Sequence, residues 1–235
     1  MKEVSKIYRV VSTSSERYVI SNILTTMETT TSSKFESVYQ KYSGRPLAGD
    51  FVMLDENNKI SIILKRKTEF CAESIDKRGR RIDLLASNVD QVFVVISVNR
   101  SFELSKLSRL VKICRLNKLN HAILVTKIDT VLYPNEYIDY LKSHFTDVNI
   151  IATSLETGEG LDKIAGLIKN RTTIFIGPQD GGKSSIIQYL VNGSKNFEKK
   201  NKKLPAELYF LDYGAAIIDT ESIRTLGDVT GEVYE

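Results

Sequence analysis

Tryptophan is absent from this 235-residue chain, and proline, histidine and cysteine number only four, two and two. Each scarcity excludes something. Cys71 and Cys114 are too few and too far apart for a disulfide framework or a zinc cluster. Cys114 falls in an apolar helical pattern, which fits a buried structural thiol. No apolar run approaches the ~20 residues that a membrane-spanning helix needs, and the N-terminus carries no signal-peptide core. A cytoplasmic chain with no membrane partner is the expectation. A strong excess of one charge is also missing: the net +4 permits a polyanionic partner without requiring one. The rest is ordinary for a globular protein, with 42% hydrophobic and 26% charged residues. The length suits one large domain or two small ones, enough to bury a core.

Residues 1–68 carry short β-branched and aromatic runs at close spacing, which predict a small β-barrel. Strands are expected at Ile7–Val11, Tyr18–Ile23, Phe51–Leu54 and Ile60–Leu64, with Ser37-Val38-Tyr39 pairing one of them. Turns fall at Pro46–Asp50 and Glu56–Lys59, and the Thr/Ser-rich stretch Thr25–Ser33 reads as a mobile loop. A basic connector over residues 69–89, led in by Lys65, Arg66 and Lys67, has an exposed turn at Asp76–Arg80. Its Lys77, Arg78, Arg80 and Arg81, with Arg66 and Lys67, would contact an RNA phosphate backbone, or else form a solvated basic surface.

From residue 90 the period changes. Asp90–Val98 is nearly all apolar, as in a strand buried on both faces, and Leu104, Leu107, Leu110, Val111 and Cys114 follow at helical spacing. Further strands are expected at Ala122–Thr126, Val148–Thr153, Thr172–Ile176, Leu208–Leu211 and Ala215–Ile218, with helices at Pro134–Phe145, Gly160–Lys169 and Ser185–Val191. That alternation predicts an α/β domain over residues 90–235 with a mostly parallel sheet, whose ligands sit at the carboxyl ends of its strands.

One stretch at such an end is chemically specific. Gly177-Pro178-Gln179-Asp180-Gly181-Gly182-Lys183-Ser184-Ser185 lies between a strand and a helix, the context of a phosphate-binding P-loop. Inward-facing backbone N–H groups and the helix N-terminus would hold phosphates, Lys183 would reach the β- and γ-phosphates, and Ser184 would ligate Mg²⁺. Asp180 is the misfit, a carboxylate inside an anion-holding loop. Thr126-Lys127-Ile128-Asp129 closes another strand. Asp129 can accept both N1–H and N2–H₂ of guanine, a donor pair that adenine does not have, while the Lys127 stem packs over the ring. Ser154-Leu155 would add backbone contacts to the base, or serve simply as a turn before the next helix. Asp219 ends a strand near the P-loop, where an aspartate commonly holds Mg²⁺ through water.

The guanine-reading residues precede the P-loop, the reverse of the order in most small GTPases. This order, with Gly49-Asp50-Phe51-Val52, Ala86–Gln91 and Val94–Val98, resembles the circularly permuted GTPases of the RsgA (YjeQ, EngC) family over nearly the whole chain. The resemblance implies an N-terminal OB-fold barrel followed by a permuted P-loop GTPase domain. It further implies GTP/GDP and Mg²⁺ as ligands, and the small ribosomal subunit and its rRNA as partners in late maturation. By matching position, Thr126, Lys127 and Asp129 would read guanine with support from Ser154 and Leu155, and Gly177, Gly182, Lys183, Ser184 and Ser185 would hold phosphates and Mg²⁺.

Several positions depart from the family pattern. Asp219-Thr220-Glu221-Ser222 stands where the family has Asp-x-Pro-Gly, and Asn196–Pro205 replaces a histidine- and threonine-rich switch. Asp180 replaces a P-loop glycine, and the expectation is a chain without the family's cysteine/histidine zinc domain, so no zinc is expected. The expectation is therefore a monomeric ribosome-assembly GTPase with impaired hydrolysis, or a degenerate module that binds RNA or ribosome without turnover.

Overall fold

The computed structural model describes residues 7–14, 17–22, 24–76, 79–98, 103–178, 180–192 and 206–220. The barrel is built from β1 (Ile7–Thr13), β2 (Tyr18–Ser21), β3 (Thr26–Thr29), β4 (Phe51–Leu54) and β5 (Ile60–Ile63). β1 is its hub. It pairs antiparallel with β2 and with β4, while β3 extends from β2 and β5 from β4. Tyr8, Val10 and Ser12 of β1 alternate inward, and Tyr8 and Val10 pack with Tyr18, Ile20, Val52 and Ile60. A five-stranded barrel with a helix between its third and fourth strands is the OB arrangement.

That helix corrects one expectation. Ser37, Val38 and Tyr39 are not a strand. They lie in a π-helical turn, Phe35–Tyr39, that runs into α1 (Gln40–Ser43). Phe35 is fully buried, and its N–H donates to the Ser32 hydroxyl at 3.1 Å, which starts the turn. The Thr-rich stretch expected as a loop contains β3, because threonine suits a pleated edge and Thr29 Oγ1 donates to the Asn58 carbonyl at 2.6 Å.

The basic connector is likewise a paired element. β6 (Glu69–Asp76) and β7 (Gly79–Ser87) form a two-stranded antiparallel hairpin whose pairing runs to Asp76↔Gly79; Lys77 and Arg78 lie outside the described residues. Its base is anchored at α2 (Leu104–Leu116). The Asn117 side chain accepts from Cys71 N at 2.7 Å, and its amide donates to the Cys71 and Ile113 carbonyls, each at 2.8 Å. Phe70, Ala72 and Ala86 of the hairpin join the apolar core beneath α2.

The second domain is a sheet between two helical layers. β8 (Gln91–Ser97) is buried along its whole length. Its Val92, Val94 and Ile96 face α2 and α3 (Pro134–His144), and its Phe93 and Val95 face α4 (Leu161–Ile168) and α5 (Lys183–Asn192). With β9 (Asn120–Thr126), β10 (Asn149–Ala152), β11 (Thr172–Ile176), β12 (Ala206–Phe210) and β13 (Ala216–Thr220), the order is β10-β9-β8-β11-β13-β12. All neighbouring strands are parallel except β12, which is antiparallel to β13. The chain works outward through β9 and β10, then returns to lay β11 on the other side of β8. The sheet therefore has its topological switch point between β8 and β11, where open α/β sheets bind ligands. The barrel joins the same sheet through one antiparallel pair, Ser12↔Glu207, between β1 and β12.

Candidate functional site

The loop from Gly177 to Gly182 leaves the carboxyl end of β11, beside the end of β8, and opens α5. Its glycines are forced by close approach. At Gly177 (φ +147°) a Cβ would lie 2.1 Å from the Val95 carbonyl oxygen, and at Gly182 (φ +84°) 2.8 Å from Thr126 Oγ1. β8 thus forms the floor under the loop. Lys183 is 2% exposed, and its Nζ donates to the Gly177 carbonyl at 3.4 Å, so the ammonium lies over the loop. Ser184, Ser185 and Asp180 are exposed. Gln179 lies outside the described residues.

The residues after β9 reach this loop directly. Thr126 Oγ1 donates to the Gly181 carbonyl at 2.8 Å, and Lys127 Nζ donates to the Asp180 carbonyl at 3.2 Å. Lys127 itself adopts the left-handed conformation (φ 59°, ψ 34°), turning the chain sharply into the short helix Ile128–Thr130 that carries Asp129. The Asp129 carboxylate accepts the Ser154 hydroxyl proton. Ser154 Oγ in turn accepts from Glu156 N and Thr157 N, both at 3.1 Å. Ser154 therefore shapes a turn and also orients Asp129, whereas the residue preceding α4 is Gly160, not Ser154. Leu155 is 39% exposed at the rim of this turn.

Asp219 is aligned with Phe175 across β11 and β13, two residues before Gly177, and with Glu207 across β12 and β13. Tyr209 donates to Glu207 Oε2 at 2.8 Å. Burial, that bond and the charges of Glu207 and Asp219 push the Tyr209 hydroxyl above its ordinary pKa. The donor set fits a bound nucleotide: a glycine cradle floored by backbone, a lysine over the loop, an exposed serine hydroxyl on α5 and a carboxylate one strand away.

Arg66 is bound into the fold. Its Nε and Nη2 each donate to Asp50 at 2.8 Å, and Asp50 is fully buried. Lys67 is exposed nearby, while Arg80 and Arg81 lie on β7. Sequence reasoning missed the contact of Thr126 with the P-loop and the floor that Val95 provides; only the spacing of glycines hinted at either.

A sequence model of the RsgA GTPase family matches residues 63–227. The chain belongs to the RsgA GTPase family. Among curated relatives, the small ribosomal subunit biogenesis GTPase RsgA 2 of Vibrio vulnificus is 29% identical over 195 residues, covering 76% of this chain and 54% of the relative. RsgA 1 of Listeria monocytogenes is 28% identical, covering 77% of this chain and 55% of the relative. RsgA of Methanosarcina acetivorans is 28% identical, covering 80% and 56%. The chain thus spans about half the length of these RsgA relatives.

Solved structures agree on the fold. YjeQ from Thermotoga maritima superposes with a TM-score of 0.69 at 20% identity, over 91% of this chain and 73% of that one. YloQ, described as a circularly permuted GTPase, gives 0.62 at 20% identity, over 94% and 73%. The expected architecture, an OB-type barrel followed by a permuted RsgA-type P-loop domain, is the observed one. The two departures at Asn196–Pro205 and Glu221-Ser222 fall outside the described residues. Among those described, no helix is long and apolar enough to cross a membrane.

Proposed function

We propose that this chain binds GTP and GDP with Mg²⁺ and acts on the small ribosomal subunit and its rRNA during late maturation, hydrolysing GTP slowly. The observation that carries the reading is the joining of Thr126 and Lys127 to the carbonyls of Gly181 and Asp180. It makes base reader and phosphate loop one surface. In this reading Asp129, held by Ser154, accepts the two guanine donors, and the Lys127 stem covers the ring. Backbone N–H groups of Gly182–Ser185 and the Lys183 ammonium would balance the phosphate charge. The Ser184 hydroxyl, and Asp219 through water, would hold Mg²⁺, which when bound draws charge from the β- and γ-phosphate oxygens. Asp180 adds a carboxylate beside the phosphates, and Asn196–Pro205 carries none of the histidine or threonines of the family's switch, which supports slow turnover.

The barrel, residues 1–68, and the connector, residues 69–89, would face rRNA through Lys67 and the hairpin's Lys77, Arg78, Arg80 and Arg81, with residues 90–235 as the nucleotide domain. Arg66, committed to Asp50, contributes to RNA contact only by shaping that surface. The chain is read as a cytoplasmic monomer. The substitutions at Asp180, Glu221 and Ser222 favour a second reading, an RNA- or ribosome-binding module without turnover. Titrating labelled GDP, a GTP analogue and ATP with Mg²⁺, then assaying turnover, separates them. Guanine-selective binding with slow hydrolysis supports the first reading, and binding without hydrolysis the second. Loss of selectivity for guanine over adenine in wild type would sink the role given to Asp129.

A further inference from the structure

We infer that Arg9 couples the barrel to the phosphate loop, through its hydrogen bond to the first residue of the strand that ends in that loop. The inference rests on nucleotide binding as proposed above. Arg9 lies on β1, and its Nη2 donates to Thr172 Oγ1 at 2.8 Å and to the Asn88 carbonyl at 3.3 Å, while Nε donates to the Gly49 carbonyl at 3.3 Å. The guanidinium lies over the Phe51 ring, 5.0 Å from its centroid. One side chain thus touches a barrel turn, the exit of the β6–β7 hairpin and the start of β11. Thr172 is held from its other side as well. Its N–H donates to Asp90 Oδ2 at 2.7 Å, and its carbonyl accepts from Asp90 N at 2.9 Å.

Two features turn this junction from a staple into a lever. β11 is buried on both faces along its five residues, so it moves as a rod of roughly 3.3 Å per residue rather than bending. Its far end is Gly177, which already abuts the Val95 carbonyl and has no slack on that side. A shift at Thr172 therefore reaches the P-loop. The second tie is the pairing of Ser12 with Glu207, which itself pairs with Asp219. β1 consequently meets both strands that supply the site, β11 directly and β13 through β12. Nucleotide at the P-loop and a partner on the barrel then bias each other, and such linkage is reciprocal.

Hydrogen exchange of the full chain, with and without GDP and Mg²⁺, tests this. In wild type, GDP should slow exchange of β1 and β4 amides by about fivefold or more, the scale of ordinary coupling between sites. Thr172→Val removes the acceptor on β11 but leaves the Gly49 and Asn88 carbonyls as acceptors of Arg9, so the barrel should stay folded and lose that response. Arg9→Lys, whose single nitrogen cannot span acceptors that Nε and Nη2 reach separately, should lose most of it. A melting curve for each variant reports folding separately. GDP binding in wild type without a barrel response overturns the coupling alone, as does a response that persists in both variants. Failure of wild type to bind GDP overturns the coupling and the nucleotide reading together.

Discussion

Asp180 and Asp129 are both carboxylates of the proposed nucleotide site, and their surroundings differ. Asp129 is held by Ser154 where a base would need an acceptor, whereas Asp180 is exposed in a loop shaped for anions. Replacing Asp180 by glycine should tighten GDP binding several-fold, since removing a like charge at close range is worth roughly 1 kcal/mol in solvent-exposed surroundings. Fluorescence titration of Asp180→Gly against wild type checks this, and equal affinities remove the electrostatic argument. Arg66 and Lys67 make a second contrast. Arg66→Ala strands the buried Asp50 carboxylate and should destabilise the protein by about 3–5 kcal/mol. Lys67→Ala changes an exposed side chain and should stay within about 0.5 kcal/mol. Urea unfolding of the two variants distinguishes an arginine that builds the fold from an exposed lysine that does not.

Elements differ in how openly the sequence declares them. β8 and β11 were legible because burial on both faces leaves a run of apolar and β-branched residues, and α2 because its apolar residues recur at helical steps. The P-loop and Asp129 were legible because each is a contiguous motif whose chemistry needs fixed spacing. The π-helical turn at Phe35–Tyr39 was not, since one buried phenylalanine and one serine bond decide it against the strand-favouring pair Val38-Tyr39. The β6–β7 hairpin was hidden for a different reason. Its anchor is Asn117, far along the chain, bonded to both backbone groups of Cys71. Asn117→Ala should cost about 1–3 kcal/mol by leaving these partly buried groups unpaired, with faster exchange of the Cys71 amide as its local sign. Unchanged stability with a protected Cys71 amide would assign the anchoring to the apolar contacts of Phe70 and Ala86 instead.

At the scale of the molecule, burial of ionisable groups sets the alkaline limit. The Cys114 thiol is pushed by burial from 9.0 to about 12. Above its ordinary pKa the unfolded chain gives up this proton while the folded chain keeps it, so stability present below pH 9 declines as pH rises. Tyr137 and Tyr209, also raised chiefly by burial, deepen the loss. Arg9 acts in the other direction. Burial lowers it from 12.5 to about 10, so its destabilising charge is relieved as pH climbs through that interval. Burial also raises Cys71 and Tyr18, so five groups against one predict a melting temperature that falls above pH 9, with a shallower early slope in Cys114→Ala. A profile of the same slope in that variant would remove the thiol from the account.

The same junction bears on how the chain comes together over time. Arg9 and Thr172 are 163 positions apart in sequence, and the pairing of Ser12 with Glu207 spans a longer interval still. On a ribosome synthesising this chain, β1 emerges well before its partners on β11 and β12. The barrel can close locally through β2 and β4, but its seam to the second sheet stays open until those strands follow. Permutation has thus made the phosphate loop a late arrival, and the domain that would hold nucleotide is completed only when the barrel already waits for it.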